Sequence, residues 1–165
     1  MPRSGSANSS NRSACGPPLA SAWATACREA SLSSRQGYRG YVASRPVRGQ
    51  HWPQHVQNLV IRDYAARNGL HYLLSTTEYA MPGCYMNLEA VLEELSQIEG
   101  ILCFSLFMLP ERAERRRLLY ERVFAAGASL HGALEDMPIR DEQDAARLED
   151  VLLVDRIASR QALAG

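Results

Sequence analysis

The chain contains no lysine; all 18 of its basic residues are arginine. That absence excludes a Walker P-loop, a lysine Schiff base and a lysine general base. An excess of one charge is missing too, because 18 acidic residues bring the formal net charge to zero. Wholesale electrostatic partnership with nucleic acid or an anionic membrane is therefore disfavoured, and only a local patch stays open. No apolar run approaches the ~18 residues a membrane helix needs, so no membrane partner is expected and the chain reads as cytoplasmic. Cysteine is sparse: Cys15, Cys27, Cys84 and Cys103 form no C-x-x-C pair. His51 and His55 lie four apart but straddle Pro53. Neither a metal site nor a cofactor is expected from such spacings.

What is present is 46% hydrophobic residues in a chain of 165, room for one domain plus tails. Residues 1–36 are rich in Ser, Ala, Gly and Pro, with Glu29 as their one acidic residue. They lack the apolar periodicity that offsets chain entropy and read as a disordered low-complexity tail. A targeting segment, being Ser-rich, Arg-containing and acid-poor, and an overlong start are the competing readings. Residues 37–158 read as a single α/β domain and 159–165 as a short C-terminal tail.

From Gly37 the pattern sharpens. Tyr38–Ser44 is a predicted strand stopped by Arg45-Pro46. Pro53 opens a helix with Val56, Leu59, Val60, Tyr64 and Ala65 inward, closed by Asn68-Gly69. His71–Ser75 is a second strand, and TTEYAMPG a loop turning at Pro82-Gly83. A helix over Cys84–Gln97 carries the stripe Leu88, Val91, Leu92 and Leu95. Ile101–Leu109, nearly continuous in apolar residues, fits a central strand buried on both faces. Residues 111–126 form a helix with Leu118, Leu119, Val123 and Phe124 inward. Ser129–Leu134 is the fourth strand, and a helix over Asp141–Ala158 closes the domain unless its VLLV is a strand. Strands alternating with helices need crossovers, and crossovers make a parallel sheet. The predicted architecture is a three-layer α/β sandwich around a four-stranded, mainly parallel sheet of order 2-1-3-4.

Ligands of such sheets collect outside the carboxyl ends of the strands, where strand order reverses. Ser44 and Glu78 are the catalytic candidates there. Ser44 is otherwise a turn or cap residue, because the sequence positions no base beside it. The ligand-binding candidates are Arg39, Arg45, Tyr79, Cys84, Tyr85, Ser105 and Glu135. Arg45 suits bidentate recognition of phosphate or carboxylate, with a surface salt bridge as its alternative. The free N–H groups after Pro82-Gly83 suit an anion. Arg115-Arg116-Arg117 is flanked by Glu111, Glu114 and Glu121 and reads as a solvated, self-paired helix face.

The segments GYRGYVASRP, PQHVQNLVIRDYAARNGL, LLSTTEYAMPGCYMNLE, FSLFMLP and LEDVLLV resemble a bacterial family named for sporadic carbohydrate gene clusters. The resemblance spans Tyr38 to about Ile157. It implies a place in surface or secondary carbohydrate biosynthesis and no particular reaction. The partner it suggests is a charged sugar or sugar nucleotide, together with other enzymes of the same pathway; oligomeric state stays open. More distantly, Tyr41–Ser44, Pro82-Gly83 with its following helix, FSLFMLPER and LEDMPIRDEQD resemble the catalytic domain of serine recombinases (resolvases). That likeness implies a resolvase-like, flavodoxin-like fold and a nucleophile at Ser44. It also implies arginines where this chain has Val42, Met81 and Met108. Those arginines would neutralise phosphate in a DNA-cleaving transition state, so the resemblance points to a similar scaffold with a different site. Whether the chain is an enzyme stays open, and the alternatives are a resolvase-like nucleic-acid-binding protein lacking the catalytic arginines or a non-catalytic interaction module of a polysaccharide pathway.

Overall fold

The structure is a computed structural model that describes residues 35–164; the expectations for the first 34 residues lie outside it. Strand β1 (Tyr38–Ala43) leads to α1 (Gln54–Arg67), β2 (Tyr72–Glu78), α2 (Met86–Glu93) and β3 (Gly100–Cys103). A 3₁₀ turn (Leu106–Met108), α3 (Ala113–Ala125), β4 (Ser129–Gly132), β5 (Met137–Ile139) and α4 (Glu142–Ala164) follow. The sheet order is β2-β1-β3-β4-β5. β1 pairs in parallel with β2 and β3, and β3 with β4. Only β5 runs antiparallel, against β4. The expected order 2-1-3-4 is therefore present, with one short strand added at its end.

The chain steps outward from β1 to β2, then back past β1 to β3 and on to β4. Right-handed crossovers then put α1 on one face and α2 and α3 on the other. α2 packs against α3, and α3 against α4. This gives the three layers. β3 is central, and Ile101, Leu102, Cys103 and Phe104 are all buried. Burial there pushes the Cys103 thiol well above its ordinary pKa.

Several elements differ from the sequence reading for identifiable reasons. Ile101–Leu109 stays buried but is not one strand. The Ser105 hydroxyl accepts from the Phe107 N–H and turns the chain into a 3₁₀ turn. β2 continues through Thr76 and Thr77 to Glu78, as β-branched residues favour. α2 is shorter than expected, yet Leu88, Val91, Leu92 and Leu95 are all buried. In α1 the inner face is Gln57, Ile61, Tyr64 and Ala65, and Leu59 is exposed. β4 ends at Gly132, and the chain turns back through Asp136 (φ 52°), a residue type that tolerates this backbone region. VLLV lies within α4, which runs on to Ala164, so the expected C-terminal tail is helical at least that far. Arg116 is no solvated residue. It is buried between α3 and α4, bonded to Glu149 at 2.7 and 2.5 Å and to the Pro110 and Glu111 carbonyls.

The two outer strands are unequal. β2 has seven residues and no proline, whereas β5 has three, with Pro138 in the middle.

Candidate functional site

The carboxyl end of β1 is set by a glutamine. Gln57 Oε1 accepts from the Ala43 N–H at 3.0 Å, and Gln57 Nε2 donates to the Ala43 carbonyl at 2.8 Å. A side chain thus imitates a strand partner, which is why α1 turns Gln57 inward. Ser44 follows immediately. Its N–H donates to the Glu78 carbonyl at 3.1 Å, and its Oγ accepts from Gln54 Nε2 at 2.8 Å. Accepting that bond leaves the Ser44 proton free for another partner. The Gln54 bond ties this serine to the first turn of α1, and among the described residues no base is bonded to it.

Arg45 reaches across the rim. Nη1 donates to the Cys84 carbonyl at 2.9 Å and Nη2 to the Met108 carbonyl at 2.7 Å. Its guanidinium lies over the Tyr85 ring, 4.6 Å from the centroid, and Arg115 approaches the same ring at 5.8 Å. Stacking of this kind is a property of the planar guanidinium. Among the described residues neither arginine has a carboxylate at ion-pair distance. Arg45 has five N–H groups, and carbonyls take up two of them, so an immobilised cation keeps donors for an anion. The carbonyls that hold it belong to the two segments in which Met81 and Met108 stand where the recombinase resemblance implies arginines.

Glu78 plays a different part from the catalytic one expected. It has no exposed surface, and five donors converge on its two oxygens. Tyr79 N–H (3.1 Å) and Cys84 Sγ (3.8 Å) reach Oε1. Tyr41 hydroxyl (3.2 Å) and the Asn87 and Leu88 N–H groups (3.1 Å each) reach Oε2. Asn87 and Leu88 open α2, whose N-cap residue Tyr85 makes no side-chain cap. The carboxylate supplies that cap from the end of β2, where the helix dipole favours negative charge. No lone pair is left to face a ligand. Tyr41 is held protonated, its pKa raised chiefly by burial, with Arg45 opposing the shift and Glu78 adding to it.

Because β1, β2 and β3 are parallel, Ser44, Arg45, Glu78 and Ser105 leave the sheet at one rim. Ser105 is itself buried. Its hydroxyl donates to Glu135 Oε1 at 2.6 Å, and Glu135 Oε2 accepts from the Leu106 N–H at 2.9 Å. This pair fixes the turn that presents the Met108 carbonyl to Arg45. Cys84 is partly exposed, its thiol on Glu78 and its carbonyl on Arg45. Tyr79 is exposed and joins the site only through its backbone. Arg39 does not belong. It sits at the opposite end of β1, paired with Glu94 at 3.3 Å, and five extended residue steps put it roughly 17 Å from Ser44. Reasoning from sequence missed Gln54, Gln57, Tyr41 and Arg115. The position of Pro53 was the available signal for Gln54, because a helix opening there brings its first turn to the end of β1. Among the described residues, no group of three or more His, Cys, Asp or Glu is placed to hold a metal ion.

Comparison with solved structures places the fold in a known class. The chain is similar to a resolvase family site-specific recombinase from Streptococcus pneumoniae, with TM-score 0.54 and 13% identity, covering 77% of this chain and 93% of that one. It is equally similar to the N-terminal catalytic domain of TP901-1 integrase, with TM-score 0.54 and 13% identity, covering 75% and 98%. At that identity the likeness defines a resolvase-like α/β fold and no activity. No protein-family model and no curated protein matches the sequence, so the carbohydrate-cluster resemblance rests on the segments quoted for it. No helix among the described residues is long and apolar enough to cross a membrane.

Proposed function

We propose that the Ser44–Arg45 rim is a binding site for an anionic sugar, a sugar phosphate or a sugar carboxylate, extending to sugar nucleotides. The observation that carries this reading is Arg45: partly buried, held by two carbonyls and one aromatic ring, and without a carboxylate among the described residues. A guanidinium so immobilised loses little further entropy on binding an anion. The Ser44 hydroxyl is the neighbouring donor, and Tyr85 holds the guanidinium in place beside it. Glu78, Tyr41, Ser105 and Glu135 position this rim and do not touch the ligand. With Gln54 on the Ser44 oxygen and no base on it among the described residues, the arrangement supports binding better than nucleophilic attack. The sugar itself is argued from the family resemblance, as is a cytoplasmic place in carbohydrate biosynthesis.

Isothermal titration with glucose 1-phosphate and glucuronate, against neutral glucose, tests the reading. Binding of the anions with a loss of about 10- to 100-fold in Arg45→Gln is expected, the weight of a charged hydrogen bond. A flat panel would overturn it. The second reading is a nucleic-acid-binding relative of the recombinases, which the shared fold favours. It predicts binding of duplex DNA that weakens steeply with salt; no binding at low salt eliminates it.

A further inference from the structure

Beside the Leu106–Met108 turn lies a second feature, a crevice of about 560 Å³ bounded by α4 and the start of α3. Its walls carry Arg48, Arg112, Arg156 and Arg160, and its floor includes Phe107, Leu109 and Leu152. Among the described residues two carboxylates line it, Glu111 and Asp155. Asp155 is taken by Arg48 at 2.5 Å, and buried Arg116, also in the lining, is taken by Glu149. Arg112, Arg156 and Arg160 have no carboxylate at ion-pair distance among the described residues. Arg156 donates to the Glu111 carbonyl, at 3.4 Å. In a chain of zero net charge this is a concentrated positive field over an apolar floor.

Arg48 adds an independent observation. It occupies the left-handed backbone region (φ 51°), followed by Gly49 (φ 76°), in a two-residue turn closed by Val47–Gln50 bonds of 2.9 and 3.0 Å. That turn favours Asn-Gly or Gly-Gly. An arginine there is strained, and what the strain secures is a guanidinium at the crevice, 4.7 Å from the Phe107 ring centroid. We propose that the crevice binds the phosphates of a nucleoside diphosphate between Arg48, Arg112, Arg156 and Arg160, with the nucleoside against the Phe107–Leu109–Leu152 floor. The volume suits a ligand of that size, and guanidinium groups match phosphate oxygens in pairs. This inference rests on its own residues and stands apart from the Arg45 rim.

Isothermal titration of the full chain with ADP, adenosine, inorganic pyrophosphate and a short DNA duplex tests it. ADP is expected to bind more tightly than adenosine or pyrophosphate, and R156Q/R160Q to weaken it at least tenfold. Arg147→Gln, on the same helix outside the crevice, is expected to leave binding unchanged. Arg48→Asn relieves the turn, so it should weaken ADP binding while the melting temperature holds or rises. ADP binding that survives R156Q/R160Q overturns the proposal, as does ADP binding abolished by Arg45→Gln alone. Pyrophosphate binding as tight as ADP would mean that the floor contributes nothing and overturns the nucleoside. Duplex DNA binding through these arginines, with none of ADP, makes the crevice a nucleic-acid surface and overturns it as well.

Discussion

Replacing Glu78 by glutamine tests the central positioning device. The substitution keeps the shape and removes one acceptor oxygen and the charge. Whichever way the amide turns, its NH₂ meets donors: Tyr79 N–H and the Cys84 thiol on one side, or Tyr41 hydroxyl and two helix N–H groups on the other. The Tyr79 side is the less crowded, and there one backbone donor is left orphaned, at a cost of about 1–3 kcal/mol. Losing the negative charge at the start of α2 adds up to ~2 kcal/mol in a buried setting. We expect a loss of roughly 3 kcal/mol in urea unfolding, with an unchanged m-value, and a melting temperature lower by roughly 10 °C. A double-mutant cycle with Tyr41→Phe should show coupling, because the two side chains share a bond. A loss below about 1 kcal/mol would refute the claim that Glu78 caps α2 from the sheet.

Three further outcomes are expected. His131 is buried, with Tyr64 hydroxyl at 2.9 Å on Nδ1 and Ser129 hydroxyl at 2.9 Å on Nε2, and burial lowers its pKa from 6.5 to about 4. Below pH 6.5 the unfolded chain takes up a proton that the folded one refuses. Stability should therefore fall as pH drops toward 4, by up to about 3 kcal/mol, and His131→Gln should flatten that slope; equal slopes in both proteins would refute it. Glu149, held below its ordinary value chiefly by its bond to Arg116, adds a loss of the same sign at lower pH. Phe104→Ala should lose roughly 3–5 kcal/mol in denaturant unfolding, and a much smaller figure would mean that the centre of the sheet repacks freely. Gly132→Ala would place a Cβ 2.4 Å from Leu106 Cγ and 2.6 Å from Glu135 Oε2. It should cost about 1–3 kcal/mol by calorimetry and weaken anion binding at Arg45 by shifting the turn; an unaltered protein would argue against the tight fit.

The alternation of elements was legible because apolar runs, glycines and prolines punctuate the chain at the right lengths. β5 was not: three residues with a central proline carry no strand signal, and its pairing with β4 is a tertiary event. Arg45 was legible as a rim cation. Its partners were not, because backbone carbonyls 39 and 63 residues away leave no mark in side-chain chemistry. Glu78 illustrates the complementary failure. Sequence placed a carboxylate at the rim, and only the start of α2 behind it shows that the carboxylate faces inward. Arg116 failed for a related reason. Its neighbours at helical spacing suggested local pairing, whereas its actual partner, Glu149, comes from the next helix.

The unequal margins of the sheet bear on how copies of this chain can join. β2 offers a long ladder of backbone donors and acceptors on its outer side, with the side chain of Leu74 turned to solvent. β5 is too short to template another chain, and Pro138 withholds one of its amides. Among the described residues β2 is therefore the margin suited to adding a strand. Pairing of two copies margin to margin would use both β2 ladders, a geometry that favours a closed pair over an open array.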